Sequence, residues 1–129
     1  KNADLFNVGV SVAPVMDFRL YDSIYTERSM GLPQDNKAGY DSTSVLSYVD
    51  RFNGKLLVIH GTGDDNVHSH HTTWLVEEFV KHDKQIDVFY YPSRAHGMSG
   101  GNARKNLYRK MINYFNDNLL GKALIKRKN

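Results

Sequence analysis

KLLVIHGTGDDNVH, at residues 55–68, joins an unbroken apolar run to a segment with helical spacing. A run such as Lys55–Ile59 is typical of a strand buried on both faces of a parallel sheet, and the glycines after it predict a loop that leads into a helix. In open α/β sheets, binding and catalysis take place at the carboxyl ends of the strands. The two adjacent carboxylates, the amide and the two histidines of this loop therefore make it the first candidate for a functional site.

Two further strands are predicted, one on each side of this stretch. Within residues 5–14, Val8, Val10 and Val12 alternate with small residues, which predicts a short strand that a neighbour approaches closely. Ile86–Tyr91 is rich in aromatic and β-branched residues and is followed by a proline, so it is predicted to be the third strand.

The segments between and after these strands have helical patterns. One helix is predicted to begin at Asp41 and to continue through Phe52. A second has an apolar stripe within residues 75–80, and a third spans Asn102–Leu120 with Gly121 at its C-cap position. The third helix is expected to face the core with Leu107, Tyr108, Met111, Ile112, Phe115 and Leu119. The alternation of strands and helices predicts an α/β fold with three parallel strands and flanking helices.

The segment Val15–Gly39 is predicted to be a long irregular connection rich in tyrosine. Tyr21 and Tyr25 stand four residues apart, so they would share one face of a helical turn. They either pack on the body of the domain or line a pocket together with Val15 and Phe18. Loops of this length inside a compact domain are usually functional, but the residues alone leave both interpretations open.

Length and composition predict a single soluble domain without disulfides. The chain has 129 residues, of which 40% are hydrophobic and 24% charged, and it contains no cysteine. Its apolar runs are too short to cross a membrane, so no membrane contact is expected from this segment. Four basic residues lie at 122–129, and without them 13 basic residues stand against 14 acidic ones. We therefore assign residues 1–121 to one domain and 122–129 to a basic C-terminal tail, and we expect no nucleic-acid binding.

Asp64 and His96 follow two successive predicted strands. Loops at the ends of neighbouring parallel strands lie close enough for a carboxylate to orient an imidazole, as in a nucleophilic triad. In α/β-hydrolases the triad runs nucleophile, acid, histidine, so the nucleophile is expected upstream on a Gly-x-Ser-x-Gly elbow. The alternative is that Asp64 caps the next helix and that His96 is an exposed loop residue. The order and topology together favour the triad.

Two other patterns in the sequence suggest chemistry but are given less weight. Gly97–Gly101 matches Gly-x-Ser-x-Gly literally, but it follows the histidine and not a strand, so Ser99 is not expected to be the nucleophile. His68, His70 and His71 could meet a metal from one helix turn, but no carboxylate completes the set. Surface histidines at a helix start are the preferred interpretation, and we expect neither a metal nor a cofactor.

Four stretches resemble one known family, and the similarity covers Leu5 to Leu120. They read VAPV at residues 12–15, YDSIYTER with MGLP at 21–33, HGTGDDNVH at 60–68 and HG at 96–97. With these motifs the chain resembles the C-terminal part of the catalytic domain of dipeptidyl peptidase IV-like serine peptidases, in the prolyl oligopeptidase family. The resemblance implies the C-terminal portion of an α/β-hydrolase fold. It also implies a serine peptidase that releases N-terminal dipeptides with proline or alanine second.

The resemblance assigns roles to individual residues. Asp64 matches the triad acid, His96 the triad base, and Asn66 the residue that binds a substrate carbonyl. The residues that match the pocket for the proline ring are Val15, Tyr21, Tyr25 and Val67. Phe18 stands where relatives often have tryptophan, so this pocket wall stays aromatic but has a different shape. Tyrosine faces and valine methyl groups can bury a compact apolar ring.

In this family the nucleophile, the oxyanion donor and the acids that hold the substrate amine lie upstream. The expected partners are therefore a peptide substrate with proline or alanine second and the upstream portion of the parent catalytic domain, and the isolated chain is expected to be inactive. A homodimer through the uncovered strand Val8–Val12 is a further possibility. The alternatives to a dipeptidyl peptidase are another hydrolase of this family and a non-catalytic partner subunit. Relatives imply a secreted, periplasmic or extracellular-facing parent.

Overall fold

The computed structural model describes residues 5–119, in which strands and helices alternate. The strands are β1 (Val8–Val12), β2 (Lys55–Gly61) and β3 (Asp87–Tyr91). The α-helices are α1 (Ser23–Met30), α2 (Lys37–Thr43), α3 (His70–Lys81) and α4 (Ala103–Leu119). Short 3₁₀-helices lie at Phe18–Leu20 and Val45–Arg51. None of the helices over residues 5–119 has the length and apolar character that crossing a bilayer requires.

The sheet is parallel throughout and has the order β1-β2-β3, which confirms the predicted topology. The central strand is β2, where Ile59 lies between Val12 of β1 and Phe89 of β3. In a parallel sheet the strands all end at the same edge, so the loops after β2 and β3 leave the sheet side by side. Both sequence motifs selected as a candidate site lie in these two loops.

Burial on both faces explains the unbroken apolar sequence of β2. Leu57 and Ile59 belong to the core cluster on the α4 side of the sheet, whereas Val58 belongs to the cluster on the α3 side. Successive strand residues point to opposite faces, so each cluster takes every second residue of β2. Burying each of these side chains stabilises the fold by roughly 1.5–3 kcal/mol.

The connection between β1 and β2 is more ordered than predicted. Instead of an irregular segment over Val15–Gly39, the structure has α1 and the start of α2. Both helices begin at N-caps that the sequence contains. The Asp22 carboxylate accepts a hydrogen bond from the Tyr25 N–H, and Asn36 Oδ1 accepts one from the Gly39 N–H.

The helix expected to begin at Asp41 is a second correction. Asp41 lies near the end of α2, and a 3₁₀-helix, Val45–Arg51, follows in place of an α-helix. Between them Ser44 is extended, with φ −65° and ψ 123°, and its N–H donates to the Tyr40 carbonyl. Hydroxyl groups in the last turn of α2 bond back to the Gly39 carbonyl, so this polar run ends a helix here.

The last helix has the predicted position but a different inner face. It spans Ala103–Leu119 in the structure, and the predicted end at Leu120 and Gly121 lies outside the described residues. Ala103 and Leu107 are buried, and Met111, Tyr114 and Phe115 are partly buried. More than half of the surface of three residues expected to face inward is exposed, namely Tyr108, Ile112 and Leu119. A helix that packs on one sheet face buries only one stripe, so the wider apolar face was an overprediction.

Candidate active site

Backbone N–H groups bond the loop that follows β2 to the end of β3 and to the loop after it. The Thr62 N–H donates to the Tyr91 carbonyl at 3.0 Å, and the Gly63 N–H donates to the Arg94 carbonyl at 3.1 Å. The Ser93 N–H donates to Thr62 Oγ1 at 2.8 Å. These bonds fix the two loops against each other, and each loop carries one of the two predicted catalytic residues.

Two arginine side chains also donate hydrogen bonds to backbone carbonyls of the loop that carries His96. Arg94 Nη1 donates to the Ser99 carbonyl at 3.2 Å, and Arg104 Nη2 donates to the Gly97 carbonyl at 3.3 Å. The second contact connects the loop to the first turn of α4. His96 is therefore held by backbone and side-chain bonds on both sides of its position in the chain.

Asp64 and His96 are in direct contact. Asp64 Oδ2 lies 2.9 Å from His96 Nδ1, and the Asp64 side chain is fully buried while 45% of the His96 side chain is exposed. A carboxylate only accepts hydrogen bonds, so Nδ1 carries the proton and Nε2 of the neutral ring has a free lone pair. The sequence placed these two residues on neighbouring loops, and the structure brings them together in the arrangement of an oriented general base.

The other oxygen of Asp64 organises its own loop. Oδ1 accepts hydrogen bonds from the N–H groups of Asn66 at 3.1 Å and Val67 at 3.0 Å. Burial alone would raise the pKa of the Asp64 carboxyl, but the hydrogen bonds from His96, Val67 and Asn66 and the His96 charge outweigh it, so the pKa is lowered. The residue is therefore ionised at neutral pH.

Asp64 does not cap the next helix, because α3 begins at His70 with Ser69 as its N-cap. The adjacent Asp65 is the other candidate for a helix cap or an ion pair in this loop. Within residues 5–119 its carboxylate has neither contact, and it lines the cavity beside Tyr21 instead.

Two tyrosines and Asn66 form the wall of a cavity of about 610 Å³. The Tyr21 and Tyr25 rings are edge to face, with centroids 5.6 Å apart. The Tyr21 hydroxyl donates to Asn66 Oδ1 at 2.7 Å, which connects this wall to the loop of Asp64. Tyr21 and Tyr25 therefore line a cavity, but not together with Val15 and Phe18 as the predicted pocket required.

Three of the six predicted substrate-binding residues do not line this cavity. Val67 is buried with 3% of its surface exposed, and its N–H donates to Asp64 Oδ1 within the same loop. Val15 borders a different cavity, next to β1, and Phe18 is partly buried in the first 3₁₀-helix. Among the residues that the structure describes, the cavity wall is completed by Asp22, Ile24, Arg28, Ser29 and Asp65.

The histidine cluster has no metal-binding arrangement in the described part of the chain, where no group of three suitable side chains is found. His68 and His70 are stacked at 5.7 Å, and His70 and His71 at 4.9 Å. The expectation of surface histidines is wrong for His71, which is fully buried and accepts a hydrogen bond from the Met16 N–H at 3.2 Å. It joins α3 to the segment that follows β1.

One histidine at the site was not singled out from the sequence. His60 was assigned to the loop, but β2 continues through Gly61 and the His60 ring is fully buried. The signal was its position directly after the apolar run, where a polar side chain can be buried only if its ring nitrogens find partners.

Comparison with known proteins places the chain in one family. The sequence profile of the prolyl oligopeptidase family matches residues 1–122. Two fungal proteins named probable dipeptidyl-aminopeptidase B are similar: that of Uncinocarpus reesii is 45% identical over 121 residues, and that of Emericella nidulans 40% identical over 119. The alignments cover 86% and 88% of this chain, which spans only 13% of the length of each relative.

The fold is similar to the crystal structure of Porphyromonas gingivalis dipeptidyl peptidase 4. The TM-score is 0.89 at 39% sequence identity, and the match covers 92% of this chain and 17% of that protein. These matches confirm the resemblance that the sequence motifs indicated. The chain belongs to the prolyl oligopeptidase family, and its three strands and flanking helices are the C-terminal portion of an α/β-hydrolase fold.

Proposed function

We propose that this chain is the C-terminal part of the catalytic domain of a serine-type dipeptidyl peptidase. The parent enzyme removes dipeptides with proline or alanine in the second position from the N-termini of peptides. The observation that carries the proposal is the 2.9 Å contact between the buried Asp64 carboxylate and Nδ1 of the partly exposed His96. The names of the dipeptidyl aminopeptidase relatives support the same class of reaction.

In this mechanism His96 is the general base and then the general acid. Because Asp64 holds the Nδ1 proton, Nε2 accepts the proton of a serine hydroxyl while the serine oxygen attacks the substrate carbonyl carbon. The imidazolium then gives this proton to the leaving amine as the peptide C–N bond breaks, which leaves an acyl-enzyme. Water, deprotonated by the same nitrogen, hydrolyses the ester, releases the dipeptide and restores the serine. The ionised Asp64 stabilises the imidazolium in both halves of the reaction.

The serine is proposed to lie upstream, on the strand-to-helix elbow that precedes this segment in the family. Ser99 does not fit the role. It lies in the loop between β3 and α4, and within residues 5–119 its hydroxyl makes no hydrogen bond with His96. Its backbone carbonyl holds Arg94, a structural contact of the loop.

The cavity beside the catalytic pair supports the proposed substrate. Its Tyr21 and Tyr25 rings offer apolar surface for a proline ring or an alanine methyl group. Asn66 Oδ1 is occupied by the Tyr21 hydroxyl, so the Nδ2 amide remains as a donor for a substrate carbonyl. The bond between the Asn66 N–H and Asp64 keeps this donor close to the catalytic carboxylate.

The upstream portion of the domain is proposed to complete the sheet at β1. Within the described residues, β1 pairs only with β2, which leaves its other edge unpaired. An apolar cavity of about 720 Å³ lies beside it, bordered by Phe6, Pro14, Val15 and Phe52 among others. Phe6 is 71% exposed there. A paired strand and its helix would cover both features, whereas a homodimer through β1 would cover only the edge.

A non-catalytic partner subunit is the second candidate. Such a subunit has no need of a buried carboxylate bonded to an accessible imidazole, so the Asp64–His96 contact favours the peptidase. A prolyl oligopeptidase-family hydrolase with another substrate shares this contact, and only substrate preference distinguishes it.

The test is turnover of glycyl-prolyl p-nitroanilide by the complete protein that carries this chain. We expect Asp64→Asn and His96→Gln to lower kcat by about 10⁴-fold, as removal of triad members does. Ser99→Ala is the matched control and should stay within about 3-fold of the wild type, because Ser99 takes no part in proton transfer. The isolated chain should show no turnover. Turnover by the isolated chain that Ser99→Ala abolishes would overturn the assignment, and an inactive complete protein would favour the non-catalytic subunit.

A further inference from the structure

His60 is a fully buried histidine whose two ring nitrogens both have partners. Nε2 lies 2.7 Å from the Val67 carbonyl oxygen, and Nδ1 lies 2.7 Å from Thr72 Oγ1. A carbonyl oxygen only accepts, so Nε2 carries the proton. In the neutral ring Nδ1 then accepts from the Thr72 hydroxyl. The contacts therefore select one tautomer, and they join β2, α3 and the loop between them.

The same ring contacts the catalytic carboxylate. His60 Nε2 lies 3.5 Å from Asp64 Oδ2, the oxygen that also bonds His96 Nδ1 at 2.9 Å. Both side chains of this buried pair have 0% exposure. At 3.5 Å the contact is electrostatic and secondary to the shorter bond with Val67. Even so, the His60 N–H dipole lies beside the oxygen that orients the catalytic base.

The Val67 backbone transmits the position of His60 to Asp64. Its carbonyl accepts from His60, while its N–H donates to Asp64 Oδ1 at 3.0 Å. Val67 is buried, so loss of the His60 donor would leave its carbonyl without a partner and away from water. The loop would relax to satisfy that carbonyl, and the Asp64 carboxylate would move with it.

We propose that His60 is a positioning residue for the Asp64–His96 pair. As the neutral tautomer with its proton on Nε2, it fixes the Val67 carbonyl and thereby holds the Asp64 carboxylate where it bonds His96. It touches neither the substrate nor the reacting atoms. This inference rests on the proposed peptidase function, because the pair that it positions is the catalytic one.

The test compares three His60 variants in the complete protein. The amide of His60→Gln can replace Nε2 as donor to Val67, whereas the shorter His60→Asn reaches only toward Thr72, and His60→Leu has no donor. We expect His60→Gln to keep kcat within about 3-fold of the wild type. His60→Asn and His60→Leu should lose about 100-fold in kcat with KM changed less than about 3-fold, because a misplacement near 1 Å costs about that much.

Two further measurements separate positioning from general destabilisation. Phe79→Leu, at the far end of α3 against Phe52, is chosen as a control that lowers Tm without contact to the Asp64 loop, and it should keep kcat. The downfield ¹H NMR resonance of the His96 Nδ1 proton reports the bond to Asp64 directly, whether or not the protein hydrolyses a peptide. It should persist in His60→Gln and weaken or disappear in His60→Asn.

The outcomes distinguish this inference from the proposed function. If His60→Leu does not fold, the comparison of His60→Asn with His60→Gln still tests the positioning role. Equal kcat and equal His96 resonances in those two variants would overturn the role of His60, even in an active peptidase. A complete protein without dipeptidyl peptidase activity but with the His96 resonance lost in His60→Asn would overturn the peptidase and leave the positioning role established.

Discussion

The backbone of Gly61 lies so close to the Arg94 carbonyl oxygen that a Cβ atom at Gly61 would be 2.1 Å from it. This approach is needed because Gly63, two residues later, bonds the same carbonyl. The end of β2 can therefore lie against the His96 loop only if residue 61 has no side chain. The distance between the loops that carry Asp64 and His96 depends on this glycine.

Gly61→Ala is expected to push the loops apart and to lengthen the Asp64–His96 bond. The overpacking should lower the free energy of unfolding by about 1–3 kcal/mol, and kcat/KM should fall by about 100-fold in the complete protein. Steady-state kinetics and urea unfolding measure the two effects. Gly9→Ala is the control, because its Cβ would meet only ordinary contact at 3.5 Å from Leu56. Equal losses in both variants would contradict the explanation.

The Tyr21 hydroxyl bonds Asn66 at 2.7 Å and should orient the amide that is proposed to bind a substrate carbonyl. Tyr21→Phe keeps the ring but removes this bond, so KM for glycyl-prolyl p-nitroanilide should rise about 3–10-fold with little change in kcat. A double-mutant cycle with Asn66→Ala measures the coupling, which we expect to be about 1 kcal/mol. Fully additive effects would show that the hydroxyl does not act through Asn66.

Stability should fall in mild acid because of His71. Burial, followed by the nearby charges of His70 and His60, lowers the pKa of His71 from 6.5 to about 4. Between these values the unfolded state binds a proton that the folded state does not, so stability decreases as the pH falls from 6.5 to 4. The slope contributed by one such group is at most about 1.4 kcal/mol per pH unit.

His71→Asn is expected to remove most of this slope, because its side-chain oxygen still accepts from the Met16 N–H but does not titrate. Urea unfolding of the wild type and the variant at several pH values between 7 and 4 provides the measurement. Parallel pH dependences would mean that His71 is not responsible.

The free edge of β1 should be visible in amide hydrogen exchange. The Ala13 N–H donates to the Ile59 carbonyl, so alternate residues of β1 donate to β2 and the others, Val8, Val10 and Val12, donate away from it. In the isolated chain these three amides should exchange rapidly, and in the complete protein slowly. Protection in the isolated chain that increases with concentration would indicate a homodimer through β1 instead.

The parallel arrangement of the strands and the place of the candidate site at their carboxyl ends could be predicted because both depend on local patterns. The apolar run Lys55–Ile59 requires burial on both faces, and parallel strands bring their carboxyl ends to one edge. For the same reason Asp64 and His96 could be paired from their places after two strands. The cavity wall was predicted only in part. The sequence pattern indicates that Tyr21 belongs to the wall, but it does not show that Val67 is buried away from the cavity.

The errors concern contacts between residues that are distant in the chain. The 3₁₀-helix at Val45–Arg51 and the exposed residues of α4, such as Ile112, depend on what packs against each segment, and periodicity does not contain that information. The role of His60 was missed because it depends on hydrogen bonds to two partners, Val67 and Thr72, that only the fold brings next to the ring.

By itself, the sequence determined the α/β topology and the family, and it placed Asp64 and His96 after two successive strands, because apolar periodicity and strand-end motifs are properties of short segments. The tertiary structure alone decided the 2.9 Å contact between Asp64 and His96, the burial of that carboxylate and the histidine beneath it. Those depend on the close approach of two loops that are separated by about thirty residues in the chain. Side chains keep such a defined orientation only when the packed backbone fixes the positions of both residues of each hydrogen bond.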